Sequence, residues 1–524
     1  MLVYPEFSPY GFWNYKEVCR LVGAKYPAAP LGLITLAALL PSSWNMTLVD
    51  MNTRPLRDRE IDEADLVFIG GMLSQQANFL RLIDRVHGRG KKVVAGGPDP
   101  TAQPDVYRRA DYLILGEVEG SIAAFVKDLD DGVESKVYAP PQERPKITDS
   151  PVPRFDLLDF DNYLMVGVQV TRGCPFDCEF CDIIELYGRT PRTKAPEQVL
   201  AELDALYRLG YRGHVDFVDD NFIGNKRKAK AILEALGDWS VDHRYPFCFS
   251  TEASINLADD DEMLGLMAAV DFRYVFIGIE SVDEEVLALS KKRTNLHRNI
   301  ADDVGKIHGR GIVVNGGFII GFDNETSASV KAIAHVVRRA DICMAMIGLL
   351  YALPRTQLTR RLIGEGRFLE SANLLEGNDG TAIDQTTSGL NFVTKRPRSE
   401  VYGDFVGVLE EVYSPRNYFD RCLKLGLALN RKVKHRPSWR ERRRAALGFF
   451  KLLGKLGCRP STAYLFWRNL LILLLRKPSS LEEATNLMAL YLHFGKQTDN
   501  TLKLISGASQ ASGFGSALTS SCQE

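Results

Sequence analysis

Short apolar, β-branched runs alternate with helix-period stretches from the first residues onward. Leu2-Val3-Tyr4, Thr47-Leu48-Val49, Leu66-Val67-Phe68-Ile69, Lys92-Val93-Val94-Ala95 and Tyr112-Leu113-Ile114-Leu115 each have the length and residue types of a buried strand. With helices between them, they predict a doubly wound, Rossmann-like α/β domain over residues 1–135. Small residues follow these strands at their carboxyl ends: Gly70, Gly71 and Ser74, then Gly96, Gly97 and Pro98, then Gly116 and Glu117. That edge of an open parallel sheet exposes backbone donors and helix N-termini, so a flat ligand can lie there. The same glycines would equally serve tight strand-to-helix turns.

Residues 136–165 carry Pro140, Pro141, Pro145, Pro151 and Pro153 among polar neighbours and read as a linker. A second series follows, with strands expected at 166–171, 214–218, 247–251, 274–279, 312–320 and 342–350, and helices at 196–209, 227–236 and 327–339. Six strand–helix units predict a partial parallel (β/α)6 barrel over residues 166–352, whose chemistry belongs at the carboxyl ends of its strands. Beyond it, patterns rich in Leu, Arg and aromatics predict a helical C-terminal domain over residues 353–505. The small, polar tail at 506–524 reads as disordered.

A length of 524 residues suits several domains, and 45% hydrophobic with 25% charged residues excludes collagen-like, disordered or polytopic membrane chains. The strongest apolar run, 463–475, contains Arg468 and falls short of the roughly 18 to 20 residues a membrane span needs. Residues 1–13 lack the basic start of a secretory signal. Nine cysteines, an odd and small number, argue against a disulfide framework and for a reducing, cytoplasmic compartment. Net charge is −1, yet residues 421–460 hold 13 Lys or Arg against one acid, Glu441. Apolar residues such as Leu447, Phe449, Phe450, Leu452 and Leu453 are interleaved there. A basic amphipathic helix of this kind lies on an anionic membrane surface or packs its apolar side onto the barrel. No recognition module accompanies it, so nucleic acid is not an expected partner.

Directly after the first barrel strand, Thr171-Arg172-Gly173-Cys174-Pro175-Phe176-Asp177-Cys178-Glu179-Phe180-Cys181 places three thiols within eight residues. Soft thiolates at these gaps select an iron–sulfur cluster or zinc. No fourth Cys or His follows nearby, so a closed tetrahedral zinc site is incomplete and one metal position stays open. The other cysteines, Cys19, Cys248, Cys343, Cys422, Cys458 and Cys522, are scattered and read as core or surface thiols.

This C-x3-C-x2-C arrangement, with Phe180 before the third cysteine, resembles the radical S-adenosylmethionine superfamily. The resemblance implies that Cys174, Cys178 and Cys181 hold three irons of a [4Fe-4S] cluster while S-adenosylmethionine chelates the fourth. An electron from a reductant such as flavodoxin or ferredoxin would then release a 5′-deoxyadenosyl radical. It also implies S-adenosylmethionine contacts for Phe180, for Asp219 and Asp220 after the second strand, for Glu280 after the fourth, and for the backbone around Ile319 on the fifth. Helix N-capping is the plainer role for the aspartates. The acid expected after Gly316-Gly317-Phe318-Ile319-Ile320-Gly321 is Glu325, one residue later than the family's usual pattern.

A doubly wound domain ahead of such a barrel resembles the cobalamin-binding radical enzymes, which implies cobalamin at Gly70, Gly71, Ser74, Gly96, Gly97, Pro98, Gly116 and Glu117. The Asp-x-His-x-x-Gly motif of many such domains is missing, and His87 falls at a predicted helix end, so no protein His ligand to cobalt is expected. Tyr26-Pro27-Ala28-Ala29-Pro30-Leu31-Gly32-Leu33, Val49-Asp50-Met51-Asn52 and Tyr413-Ser414-Pro415-Arg416 are similar to the subgroup that includes the hopanoid C-2 methylases. One departure lies at the barrel mouth, where Arg355 and Gln357 replace the Gly and Pro of the subgroup's Leu-Pro-Gly-Thr-Pro-Leu. The resemblance implies cobalamin-dependent methylation of an unactivated carbon in a small-molecule or lipid substrate. Its alternatives are a radical cyclase or rearrangement enzyme, a 3-amino-3-carboxypropyl transferase, and a non-catalytic cobalamin or iron–sulfur sensor. No general acid or base can be named from the residues.

Overall fold

The computed structural model describes residues 1–524 apart from 9, 10, 13, 141, 370–388, 432, 433, 436 and 512–524, and apart from the side chains of 506–511. The first strands are β1 (Leu2–Tyr4), β2 (Tyr26–Ala28), β3 (Leu48–Asp50), β4 (Leu66–Gly70), β5 (Lys92–Gly96), β6 (Tyr112–Ile114) and β7 (Lys136–Tyr138). All but β2 form one parallel sheet in the order β3-β1-β4-β5-β6-β7. Its strands alternate between two cores, Val3, Val67, Ile69, Val93 and Ala95 on one face and Leu2, Phe68, Val94, Tyr112 and Ile114 on the other. Helices cover both faces, which is the doubly wound arrangement.

Two elements correct the expected boundaries. Strand β7 lies in the stretch read as a linker and pairs Leu113 with Val137 and Ile114 with Tyr138. Strand β2 leaves the N-terminal sheet altogether and pairs with the first barrel strand, Tyr26 beside Tyr163 and Ala28 beside Met165. The Tyr163 hydroxyl donates to Asp50 Oδ2 at 2.9 Å, and Phe7 stacks on Tyr26 at 5.8 Å, so the two sheets are joined by buried contacts.

The barrel strands are β8 (Tyr163–Val168), β9 (Thr171–Arg172), β10 (Arg192–Thr193), β11 (Gly213–Phe217), β12 (Phe247–Ala253), β13 (Phe272–Glu280), β14 (Val313–Ile320) and β15 (Ala345–Leu349). They curl into a parallel half-barrel of order β15-β14-β13-β12-β11-β8-β2, with β9 and β10 forming a separate antiparallel pair. The first strand therefore ends at Val168 instead of running to 171. Phe247 stacks on Trp239 of helix Lys226–Asp242 at 5.6 Å and Phe217 packs on Phe249. Period-2 alternation then turns His214, Asp216, Cys248, Ser250 and Glu252 to the concave side.

C-terminal helices Arg398–Tyr413, Pro415–Ala428, Ala463–Arg476 and Leu481–Ala511 share one continuous core with the barrel, so this region has no separate core of its own. Segment 421–460 is not one amphipathic helix. Arg421 is fully buried and donates to the Ile342 and Val412 carbonyls, Arg431 pairs with Glu483, and a new helix starts only at Trp439–Leu452. The last helix reaches Ala511, so residues 506–511 of the predicted tail are helical, and the rest of that tail lies outside the described residues. No described helix is long and apolar enough to cross a membrane.

Candidate active site at the barrel mouth

The three-cysteine loop leaves β9 through Gly173, which has a φ of 89° and where a Cβ would lie 2.8 Å from the Gly188 carbonyl, so only glycine fits. Asp219 and Asp220 hold the entry to this loop. Asp219 Oδ1 accepts the N–H groups of Val170 and Thr171 at 2.8 Å each, and Asp220 Oδ2 accepts that of Gly173 at 2.7 Å. One oxygen of each carboxylate is thus engaged by backbone, and the cap of helix Lys226–Asp242 is Asn225, which corrects the N-cap reading of the pair. Burial pushes the Asp219 carboxyl up to about 8, and its Oδ2 has no hydrogen-bond partner among the described residues. Asn221 Nδ2 points at Cys174 Sγ, 3.8 Å away.

Helix Gln357–Gly364 clamps the other side of the loop. Gln357 Nε2 donates to Asp177 at 2.9 Å, the Leu358 N–H donates to the Glu179 carbonyl at 2.8 Å, and Arg361 pairs with the Glu179 carboxylate at 2.8 Å. Phe180 sits edge-on to Phe322 at 5.7 Å. Gln357, a departure from the subgroup pattern, thus gains a contact to the loop, and Arg355 occupies left-handed backbone with φ 64°, where glycine is favoured.

Cys178 is buried while Cys174 and Cys181 are half-buried. Burial pushes the thiols of Cys178 and Cys181 up, with Asp182 adding to the effect at Cys181. Lys292, which sequence reading missed, donates to Glu280 Oε1 at 3.0 Å. Although burial opposes its charge, the Glu280 carboxylate holds its ammonium protonated. Glu280 itself has φ 65°, a strained position for a non-glycine residue at a strand end. Among the described residues no three His, Cys, Asp or Glu side chains converge on a single ion. Three soft donors on one clamped loop beside a fixed cation fit an anionic cluster whose irons each take a separate thiolate.

Glu252 is a second residue missed from sequence, recoverable from its alternation with Cys248 and Ser250 on β12. Burial, together with Asp216, Asp220 and Asp219, pushes its carboxyl up to about 8. Below it Ser250 Oγ donates to Asp216 and meets His214 Nε2 at 2.7 Å, and His214 stacks on Tyr274. Ile319 is half-buried on β14 and packs against the barrel core. Glu325 Oε2 accepts the Gly321 N–H at 2.7 Å, which ties the acid to the end of β14. Burial pushes its carboxyl from 4.5 to about 8, so folding takes up a proton between those values and stability should fall as pH rises through that window. Glu325→Gln is neutral throughout and is expected to flatten this fall by roughly a few kcal/mol at its upper end. Urea unfolding at about pH 5 and about pH 8 checks it, and parallel profiles for the two proteins would refute it.

At the edge of the N-terminal sheet the glycines have backbone reasons. A Cβ on Gly97, with φ 105°, would lie 2.9 Å from the Gly71 carbonyl, and one on Gly116, with φ 77°, 3.0 Å from Pro140. Gly70 and Gly96 end β4 and β5, Pro98 opens helix Pro98–Ala102, and Ser74 lies in the short turn Leu73–Gln75. The strand ends are thereby stripped of side chains, which leaves a backbone-lined edge. The Glu117 carboxylate is buried and pairs with Arg172 at 2.8 Å and Arg192 at 2.6 Å, both from the strands flanking the cysteine loop. His87 ends helix Gln76–His87 and meets Asp111 at 2.9 Å. Between the two sheets a cavity of about 320 Å³ is walled by Thr101 and Gly116 from the edge, Asp182 and Leu186 from the cysteine loop, and Pro354 and Arg355 after β15.

The half-barrel, its cysteine loop and the doubly wound domain in front define a radical S-adenosylmethionine enzyme. A family model described as the Radical SAM superfamily matches residues 168–337, and one described as a domain of unknown function, DUF4070, matches residues 356–506. The chain is 42% identical over 500 residues to an uncharacterized methyltransferase of Synechocystis sp., covering 94% of this chain and 91% of that protein. It is 32% identical over 455 residues to the hopanoid C-2 methylase of Rhodopseudomonas palustris, covering 85% and 84%. The chain therefore belongs to the radical S-adenosylmethionine family that includes the hopanoid C-2 methylases. Its fold is similar to that of TsrM, a radical S-adenosylmethionine methyltransferase from Kitasatospora setae solved with cobalamin and a [4Fe-4S] cluster. The TM-score is 0.61 at 14% identity, over 87% of this chain and 99% of that one.

Proposed function

We propose that this enzyme is a cobalamin-dependent C-methyltransferase that acts on an unactivated carbon of a lipid-like or secondary-metabolite substrate. The observation that carries the reading is the cavity shared by the sheet edge, the cysteine loop and the segment after β15, in a chain related along most of its length to methyltransferases. An unactivated C–H bond has no acidic proton for a base to remove, so it calls for radical abstraction in a site that excludes water. When bound, a [4Fe-4S] cluster with S-adenosylmethionine supplies the radical, and cobalamin supplies a methyl group to a carbon radical.

The chain's own residues have the following parts. Cys174, Cys178 and Cys181 would hold the cluster, and Lys292 would balance its negative charge. Glu280 and the backbone around Ile319 border the space where S-adenosylmethionine would meet it. The glycine-lined edge at Gly70, Gly71, Gly96, Gly97 and Gly116 would take the flat face of cobalamin, while Glu117 acts through Arg172 and Arg192 to hold that edge against the cysteine loop. The replacement of a glycine by Arg355 at the cavity supports a substrate other than a hopanoid.

Anaerobic enzyme loaded with iron, sulfide and hydroxocobalamin, given reductant and S-adenosylmethionine, tests the proposal. With substrate, S-adenosylhomocysteine and 5′-deoxyadenosine should form together. Formation of 5′-deoxyadenosine alone would indicate a cyclase or rearrangement, and methylthioadenosine an aminocarboxypropyl transfer; either replaces methylation. No retention of cobalamin would remove the cobalamin-dependent route.

A further inference from the structure

We infer that helices Trp439–Leu452 and Ala463–Arg476 form a docking surface for an anionic lipid bilayer. Helix Ala463–Arg476 is two-sided. Phe466, Leu470 and Leu473 are buried, while Tyr464, Trp467, Leu471, Leu474 and Leu475, spaced to share the opposite face, are 75%, 49%, 58%, 55% and 75% exposed. Helix Trp439–Leu452 buries Gly448 and Leu452 and leaves Trp439, Leu447 and Phe450 exposed. One π turn, Leu453–Gly457, and a short segment join the two, and Trp467 packs its indole onto Gly457 at that junction. Monomeric proteins rarely leave so many large apolar side chains together in water.

The charge around these faces selects the partner. Residues 439–477 contain ten Lys or Arg and a single acid, Glu441. Glu441 is already engaged by His435 and the Ser438 N–H. Arg442, Arg443, Arg459 and Arg476 are exposed and have no carboxylate partner among the described residues. A protein partner would demand shape complementarity, whereas exposed Trp and Tyr beside unpaired guanidinium groups match the boundary of a bilayer whose headgroups are anionic. No described helix can cross the membrane, so the contact is peripheral. Arg421 and Arg431, buried in ion pairs and carbonyl contacts, take no part.

Sedimentation of the full chain with vesicles tests this, using phosphatidylcholine alone and phosphatidylcholine mixed with phosphatidylglycerol. Binding is expected only to the mixed vesicles and should fall as salt rises. Each removed basic residue should weaken it by roughly fivefold, so Arg442→Ala with Arg443→Ala should cost more than about tenfold. Leu471→Ser with Leu475→Ser should weaken it comparably, and both variants should keep the unfolding temperature of the parent because the replaced side chains are exposed. Equal binding to both vesicles, binding to neither, or a dimer in light scattering that dissociates on Leu471→Ser with Leu475→Ser would overturn the inference.

Discussion

Replacing Cys178 by alanine is expected to abolish cleavage of S-adenosylmethionine while leaving the barrel folded. Cys178 is the most buried of the three loop thiols, and burial holds it protonated until a metal displaces the proton. A three-thiolate cluster that loses one ligand exposes a second iron and is lost or degraded. The loop itself should persist, because the contacts of Gly173 with Asp220 and of Glu179 with Ser290 and Arg361 do not involve the sulfur. Iron and sulfide content after anaerobic reconstitution should collapse, and 5′-deoxyadenosine should fall to the level of enzyme-free controls. Cys248→Ala provides the comparison, since that thiol lies on β12 away from the loop and its loss should leave iron content unchanged. A Cys178→Ala protein that binds a full cluster and still makes 5′-deoxyadenosine would show that the loop is not the cluster site.

Glu117→Ala should uncouple the N-terminal sheet from the cysteine loop. Its side chain is 3% exposed and is shared by Arg172 and Arg192, with Arg172 also held by Glu119. Removing the shared carboxylate leaves Arg192 without a carboxylate partner and Arg172 with Glu119 alone, and breaking such a buried pair typically costs about 3–5 kcal/mol. The expected results are an earlier urea transition and faster proteolysis between β7 and β8. Glu117→Gln keeps an acceptor but not the charge and should fall between the two. Reduced cobalamin retention should accompany the alanine variant, since Gly116 and Thr101 line the cavity next to this latch. Wild-type stability and proteolysis in Glu117→Ala would rule out the latch.

Alternation of strand and helix patterns was enough to place most strands of both parallel sheets, because buried parallel strands are short, β-branched apolar runs set off by helical stretches. The three-cysteine loop was equally legible, since three thiols at short gaps depend only on local sequence. The boundaries differed where a short segment pairs with a strand that the local sequence does not point to. Lys136-Val137-Tyr138 is too short to stand out beside a proline-rich stretch, and becomes a strand only because β6 offers an unpaired edge. Tyr26-Pro27-Ala28 carries no mark that it pairs with a strand more than a hundred residues later. Basic residues counted together in 421–460 divide, in three dimensions, into the buried Arg421 and the exposed Arg442 and Arg443.

By itself, then, the amino-acid order determined the doubly wound domain, the barrel, the three-cysteine loop and a basic C-terminal region, all of which follow from local periodicity and spacing. Tertiary structure decided what the carboxylates do. Only the approach of the Val170, Thr171 and Gly173 N–H groups gives Asp219 and Asp220 their backbone partners, and only that of the Arg172 and Arg192 guanidinium groups gives Glu117 its ion pairs. Lys292 became a site residue because its place beside Cys178 depends on chain crossings that no local pattern encodes, whereas the inward place of Glu252 follows from alternation along β12. Hydrogen bonds and charge pairs act over a few ångströms in space, and sequence distance says little about which groups will come that close.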